Sequence, residues 1–169
     1  MEMDNKAVVY TSNTGTTKEY AEIIGRRCGL PVMSLEEALV NLERNDGIIY
    51  LGWILSGQIQ GFERADKWFD ISAVCAVGCG ATGSQRVQIQ EANKVECRLF
   101  TLQGGLFLDR LKGMNRLMMK IFSKSVIRGY KAQKNLTADE EALLELFRNG
   151  GSRVSEDNLT SFYEWYDMQ

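Results

Sequence analysis

The chain contains no histidine among its 169 residues, which excludes histidine-based catalytic triads, His-ligated zinc and haem held by histidine. Its four cysteines, Cys28, Cys75, Cys79 and Cys97, show no C-x-x-C spacing, so a four-cysteine zinc site is not expected and no metal is assigned. Cys28, Cys75 and Cys97 each lie in or at the end of an apolar pattern and read as buried, reduced thiols. No apolar run approaches membrane-spanning length, and the start Met1-Glu2-Met3-Asp4-Asn5 is acidic where a signal peptide would be basic, so the expected location is cytoplasmic. With 44% hydrophobic and 25% charged residues and a net charge of −2, the composition is that of an ordinary globular domain, read as one domain over 1–169. An enzyme built this way would draw its chemistry from a bound cofactor, and no catalytic side chain is assigned.

What is present is organised around Thr11-Ser12-Asn13-Thr14-Gly15-Thr16-Thr17, a hydroxyl-rich turn between the apolar run Ala7 to Tyr10 and a helix-like segment from Lys18 to Arg27. The first amides of a helix lack internal acceptors and sit at the positive end of its dipole, so an anion is favoured there. Gly15 allows close approach or positive φ, and no carboxylate interrupts the stretch. An ordinary N-cap by Thr14 or Thr16 is the plainer alternative. There is no Gly-Lys-Ser/Thr for a triphosphate loop and no G-x-G-x-x-G for a dinucleotide. Ser12, Thr14, Gly15 and Thr16 resemble the Ser/Thr-x-Thr-Gly-x-Thr phosphate loop of flavodoxins.

Further strands are expected at Leu30 to Ser34, Ile48 to Gly52, Ile71 to Val77 and Val95 to Leu102. They alternate with helices at Leu35 to Leu42, Phe62 to Phe69 and Ser84 to Ala92. This alternation predicts a parallel sheet covered on both faces, with ligands beyond the carboxyl ends of the strands. Three loops share that edge: Thr11 to Thr17, Trp53 to Gly61 and Gly78 to Gly83. Gly78-Cys79-Gly80 resembles the Gly-Cys-Gly that opens the second ring-binding loop of many flavodoxins. The resemblance implies a flavodoxin-like three-layer αβα sandwich, five parallel strands in the order 2-1-3-4-5, and FMN as cofactor. On that reading Thr11 to Thr17 hold the phosphate, while Trp53, Ile54, Leu55, Ser56, Gly78, Cys79, Gly80 and Gly83 flank the ring. Trp53 or Ile54 would form one wall, although Trp53 reads equally as a core or interface aromatic; the second loop has no aromatic residue.

After the fifth strand comes a helical, basic insertion, about 104–136. Leu106, Phe107, Leu108, Leu111, Met114, Leu117, Met118, Ile121 and Phe122 recur at helical spacing, giving an amphipathic helix over Leu106 to Ser125 with a bend at Gly113. Its other face carries Arg110, Lys112, Arg116, Lys120 and Lys124. Such a helix has three readings: a solvated face over a core stripe, a membrane-surface contact, or a groove for an acidic substrate. Gly104-Gly105-Leu106 and the Arg-x-Met-x-Lys phrase at Arg116, Met118 and Lys120 resemble the insertion of the menaquinone-dependent protoporphyrinogen oxidase family. That resemblance implies electron or hydride transfer at FMN, a porphyrinogen substrate, and a quinone acceptor. It also implies peripheral contact with the inner face of the membrane through Arg110, Lys112, Arg116 and Lys120. The insertion here has Leu108, Leu111, Gly113 and Met114 where that family is richer in Tyr and Trp. A simple electron carrier to a redox partner is the alternative within the class, and a flavin-free binding or regulatory protein the alternative outside it. No nucleic-acid partner is expected. Thr137 and Glu140 form a capping box opening a helix from Ala138 to Arg148, and the last helix follows Ser155.

Overall fold

The structure is a computed structural model and describes residues 4–169; Met1 to Met3, part of the acidic start, lie outside the described residues. The first strand, β1 (Asn5–Thr11), carries Ala7, Val8 and Val9 with no exposed surface, as required of a strand covered on both faces. It is followed by α1 (Thr16–Cys28), β2 (Val32–Ser34), α2 (Leu35–Asn41), β3 (Gly47–Leu55), β4 (Gln58–Ile59), α3 (Phe62–Asp66), β5 (Asp70–Gly78), α4 (Arg86–Asn93) and β6 (Arg98–Gln103). The parallel strands run in the order β2-β1-β3-β5-β6. Counting parallel strands alone, this is the expected 2-1-3-4-5, with the short antiparallel β4 added beside β3.

Alternation along each strand divides the core in two. Val9, Tyr50, Val74, Ala76 and Leu99 point to a layer closed by Leu35, Phe62 and Ile89. Val8, Ile49, Leu51, Cys75 and Phe100 point to the opposite layer, where Tyr20 and Ile24 of α1 meet Leu159 and Phe162. The final segment, a single 3-10 turn at Glu156–Leu159 running into α7 (Thr160–Tyr166), stacks Phe162 edge-on against Phe100 at 5.4 Å and closes this second face.

The stretch between β6 and that last helix departs from the expected single helix over Leu106 to Ser125. Gly105–Leu106 forms a short strand, β7, paired antiparallel with β8 (Gly151–Ser152). The chain then turns through Phe107 to Lys112, and the helix α5 occupies Gly113–Lys131. The pairing with β8 holds the backbone at Leu106 extended, so helix cannot begin there. Gly113, with φ +55°, lies at the helix start rather than at a bend within it. The helix α6 (Ala138–Asn149) opens with the expected capping box, Thr137 accepting from the Glu140 amide and Glu140 from the Thr137 amide. Leu106, Met119, Val126, Leu143, Leu146 and Phe147 form a satellite core between α5, α6 and β7. The insertion therefore leaves and returns at one clasp, β7 beside β8.

Candidate binding site at the carboxyl edge of the sheet

Parallel register aligns Thr11 with Gly52, Gly52 with Ala76 and Ala76 with Thr101, so the turns that leave these strands emerge side by side. The first turn reverses into α1 through Gly15, whose φ of +106° is costly for any residue with a Cβ. Its amide donates to Ser12 Oγ at 3.2 Å. Thr16 and Thr17 are buried, Thr17 to 1% exposure, and the Thr17 hydroxyl has no hydrogen-bond partner. A buried hydroxyl without a partner is costly, and a polar group brought to this turn from outside the chain would relieve that cost.

The second turn is a hairpin. β3 continues to Leu55 and returns as β4 through Ser56 and Gly57, both at positive φ, as a two-residue hairpin of this twist requires. Asn93 of α4 braces it, accepting from the Ile59 amide and donating to the Gly57 carbonyl, each at 2.8 Å. The third turn, after β5, is fastened to β6. The Gly104 amide donates to the Gly78 carbonyl, Gln103 Nε2 to the Cys79 carbonyl, and the Gly83 amide to the Thr101 carbonyl.

Two adjoining cavities lie above this edge. The smaller, about 50 Å³, is lined by Asn13, Thr14, Thr16, Thr17, Trp53, Leu111 and their neighbours. The larger, about 720 Å³, lies between the hairpin and the Gly78 to Gln85 turn and is roofed by the insertion through Met118, Met119, Ile121, Phe122 and Phe147. Ile54, Gly78, Cys79 and Met119 line both, so the two cavities adjoin along these residues as a bipartite cleft. Neither is lined by an aspartate, glutamate, lysine or arginine. Burial pushes the Cys79 thiol up to about 11, so it stays protonated at neutral pH.

A family model described as a flavodoxin domain matches residues 7–132, three quarters of the chain. The chain belongs to the flavodoxin domain family. The match runs from within β1 to Ala132, one residue past α5, and so takes in all three turns of the cleft. No curated protein and no solved structure matches the chain.

Of the residues expected to hold a flavodoxin's cofactor, Asn13, Thr14, Thr16 and Thr17 line the smaller cavity. Leu55, Ser56 and Gly80 line the larger, and Ile54, Gly78 and Cys79 line both. Thr11, Ser12, Gly15 and Gly83 line neither; Ser12 and Gly15 shape the turn, and Gly83 spends its amide on Thr101. Trp53 lines only the smaller cavity, because strand alternation turns it away from the side that Ile54 occupies. Of the two, only Ile54 reaches the larger cavity. Lys112, Arg116 and Lys120 lie outside both cavities on the exposed side of the insertion. Arg110 reaches the first turn, where its Nη1 donates to the Thr14 carbonyl at 3.0 Å.

Sequence reasoning missed Phe122 and Phe147, an edge-on pair with ring centroids 5.6 Å apart that supplies the aromatic surface the Gly78 turn lacks. The methionines flanking Phe122 at helical spacing were the available signal. FMN fits what these residues offer. A phosphate would meet the orphaned Thr17 hydroxyl and the free amides of α1, and a flat ring would meet an apolar slot between Ile54 and the Gly78 turn.

Proposed function

We propose that this flavodoxin domain binds FMN and transfers electrons or hydride at the flavin. The observation that carries the reading is the unpartnered Thr17 hydroxyl, buried at the head of a cleft that widens into an apolar slot. Bound there, FMN would supply two-electron redox chemistry, which the side chains lining the cavities do not offer. The residues around it position and exclude water: Thr14, Thr16 and the α1 amides hold the phosphate, Ile54 and Gly78 to Gly80 confine the ring, and Met119 covers it from the insertion. With no charged group on the lining, proton exchange depends on substrate or solvent.

Titrating apoprotein with FMN, with riboflavin as the phosphate-free control, tests this. Selective quenching of FMN fluorescence is expected. Failure of either flavin to bind would remove the redox reading and favour a flavin-free binding or regulatory role.

A finer reading is oxidation of protoporphyrinogen with a quinone as acceptor. It is supported by α5, where Met114, Leu117 and Ile121 are 68%, 53% and 61% exposed beside the exposed bases Arg116, Lys120 and Lys124. Such a surface suits an anionic membrane or a porphyrinogen carboxylate next to the mouth of the apolar slot. Three electron pairs with their protons would pass in three successive turnovers from the porphyrinogen by way of the flavin to three quinones, leaving three quinols and the fluorescent porphyrin. Porphyrin fluorescence should then grow when FMN-loaded protein is given protoporphyrinogen and menadione without oxygen. Reduction by a flavoprotein reductase with no porphyrinogen turnover would instead identify an electron carrier.

A further inference from the structure

We infer that Arg110 is a direct ligand of the cofactor phosphate, so that the insertion supplies a charged lock on an otherwise uncharged phosphate turn; this rests on the FMN reading above. The turn itself, Thr11 to Thr17, offers only hydroxyls, an amide side chain and backbone donors. Arg110 comes from the other end of the fold, in the turn between β7 and α5, and its guanidinium lies against that loop. Its Nη1 donates to the Thr14 carbonyl at 3.0 Å and lies 3.8 Å from where a Cβ on Gly15 would stand.

The guanidinium is held there from below. Its central carbon is 4.0 Å from the centroid of the Phe107 ring, and the Arg110 amide donates to the Phe107 carbonyl at 3.0 Å. Leu111, 5% exposed, anchors the same turn over the smaller cavity. Among the described residues no carboxylate pairs with Arg110. A guanidinium carries five N–H donors, and one contact to a carbonyl leaves the rest of the fork and the full charge available. A cation fixed by stacking, uncommitted to any acid, beside a helix N-terminus and an orphaned buried hydroxyl is suited to a phosphate dianion.

Arg110 thus makes the choice of FMN over riboflavin depend on the insertion and not on the α1 turn alone. FMN and riboflavin affinities of wild type, R110Q and R110K measure this, at low and at moderate salt. R110Q should weaken FMN about tenfold to a hundredfold, leave riboflavin unchanged, and flatten the salt dependence of FMN binding. R110K should fall between, keeping the charge and losing the fork. A urea midpoint for R110Q equal to that of wild type shows that the variant is folded. R110Q binding FMN as wild type does would overturn the inference while leaving the FMN reading intact. A wild type that binds neither flavin would overturn both.

Discussion

Tyr50, in the middle of the central strand β3, donates its phenol proton to the Gln60 carbonyl at 2.7 Å, and its oxygen lies 2.8 Å from Thr11 Oγ1. Since the tyrosine proton is spent on Gln60, the Thr11 hydroxyl is the donor of the second bond, and it is directed into the sheet. One phenol therefore ties the end of β1, where the α1 turn starts, to the return strand of the hairpin. Gly61 must be glycine here, because a Cβ would collide with both oxygens.

Tyr50→Phe should lower stability by about 1–3 kcal/mol, since it strands a half-buried carbonyl and a half-buried hydroxyl together. Urea denaturation reads this as a lower midpoint at unchanged slope. A midpoint equal to that of wild type would mean that both groups find water, and that the two turns are not coupled through the phenol.

Thr17→Val separates structural from binding roles by sign. Replacing an orphaned buried hydroxyl with a methyl of similar shape should leave the apoprotein as stable as wild type or more stable by about 1 kcal/mol. FMN affinity should fall about tenfold. Parallel loss of stability and affinity would show that the hydroxyl serves the fold and not the ligand.

The fold was legible because its signals are local. Ile48 to Gly52 reads as a strand buried on both faces, and Thr137 with Glu140 reads as a helix start, from neighbouring residues alone. The stretch from Leu106 to Lys112 misled because its apolar spacing is helical, while the residues that hold it extended, Gly151 and Ser152, lie far along the chain. Which of Trp53 and Ile54 reaches the larger cavity depends on the strand continuing to Leu55, which fixes the face of each. The hydrogen bond from Thr11 to Tyr50 had no local signal, because Tyr50 sits on a different strand. Arg110 was read with the basic face of a helix it does not belong to.

Alkaline pH should destabilise the apoprotein. Burial raises the Cys79 and Cys97 thiols from an ordinary 9.0 to about 11, and raises Tyr50 and Cys75 further. The unfolded chain loses these protons first, so the folded state binds more protons and stability falls with rising pH. The stability these groups contribute is complete below about pH 9 and is lost as pH rises through about 11. Urea midpoints from pH 7 to 11 should decline above 9, and Cys79→Ser should reduce the slope. A flat profile would mean that the thiols are hydrated in the folded state.

Phe122 belongs to the wall that the insertion gives the larger cavity. It is 54% exposed, stacks edge-on with Phe147, and lines only the larger cavity, well away from the turn formed by Thr14 and Thr17. If FMN occupies the inner part of the cleft, Phe122 faces whatever enters after it. Phe122→Ala should then change FMN affinity by less than about threefold, because truncating a half-exposed ring removes little burial from the cofactor. The same variant should raise KM for an apolar quinone such as menadione while leaving kcat near wild type, as expected for an interaction shared by ground and transition states. Steady-state quinone reduction alongside flavin titration separates the two. A large loss of FMN affinity with unchanged KM would place Phe122 on the ring itself, making the insertion the second aromatic wall of the flavin site.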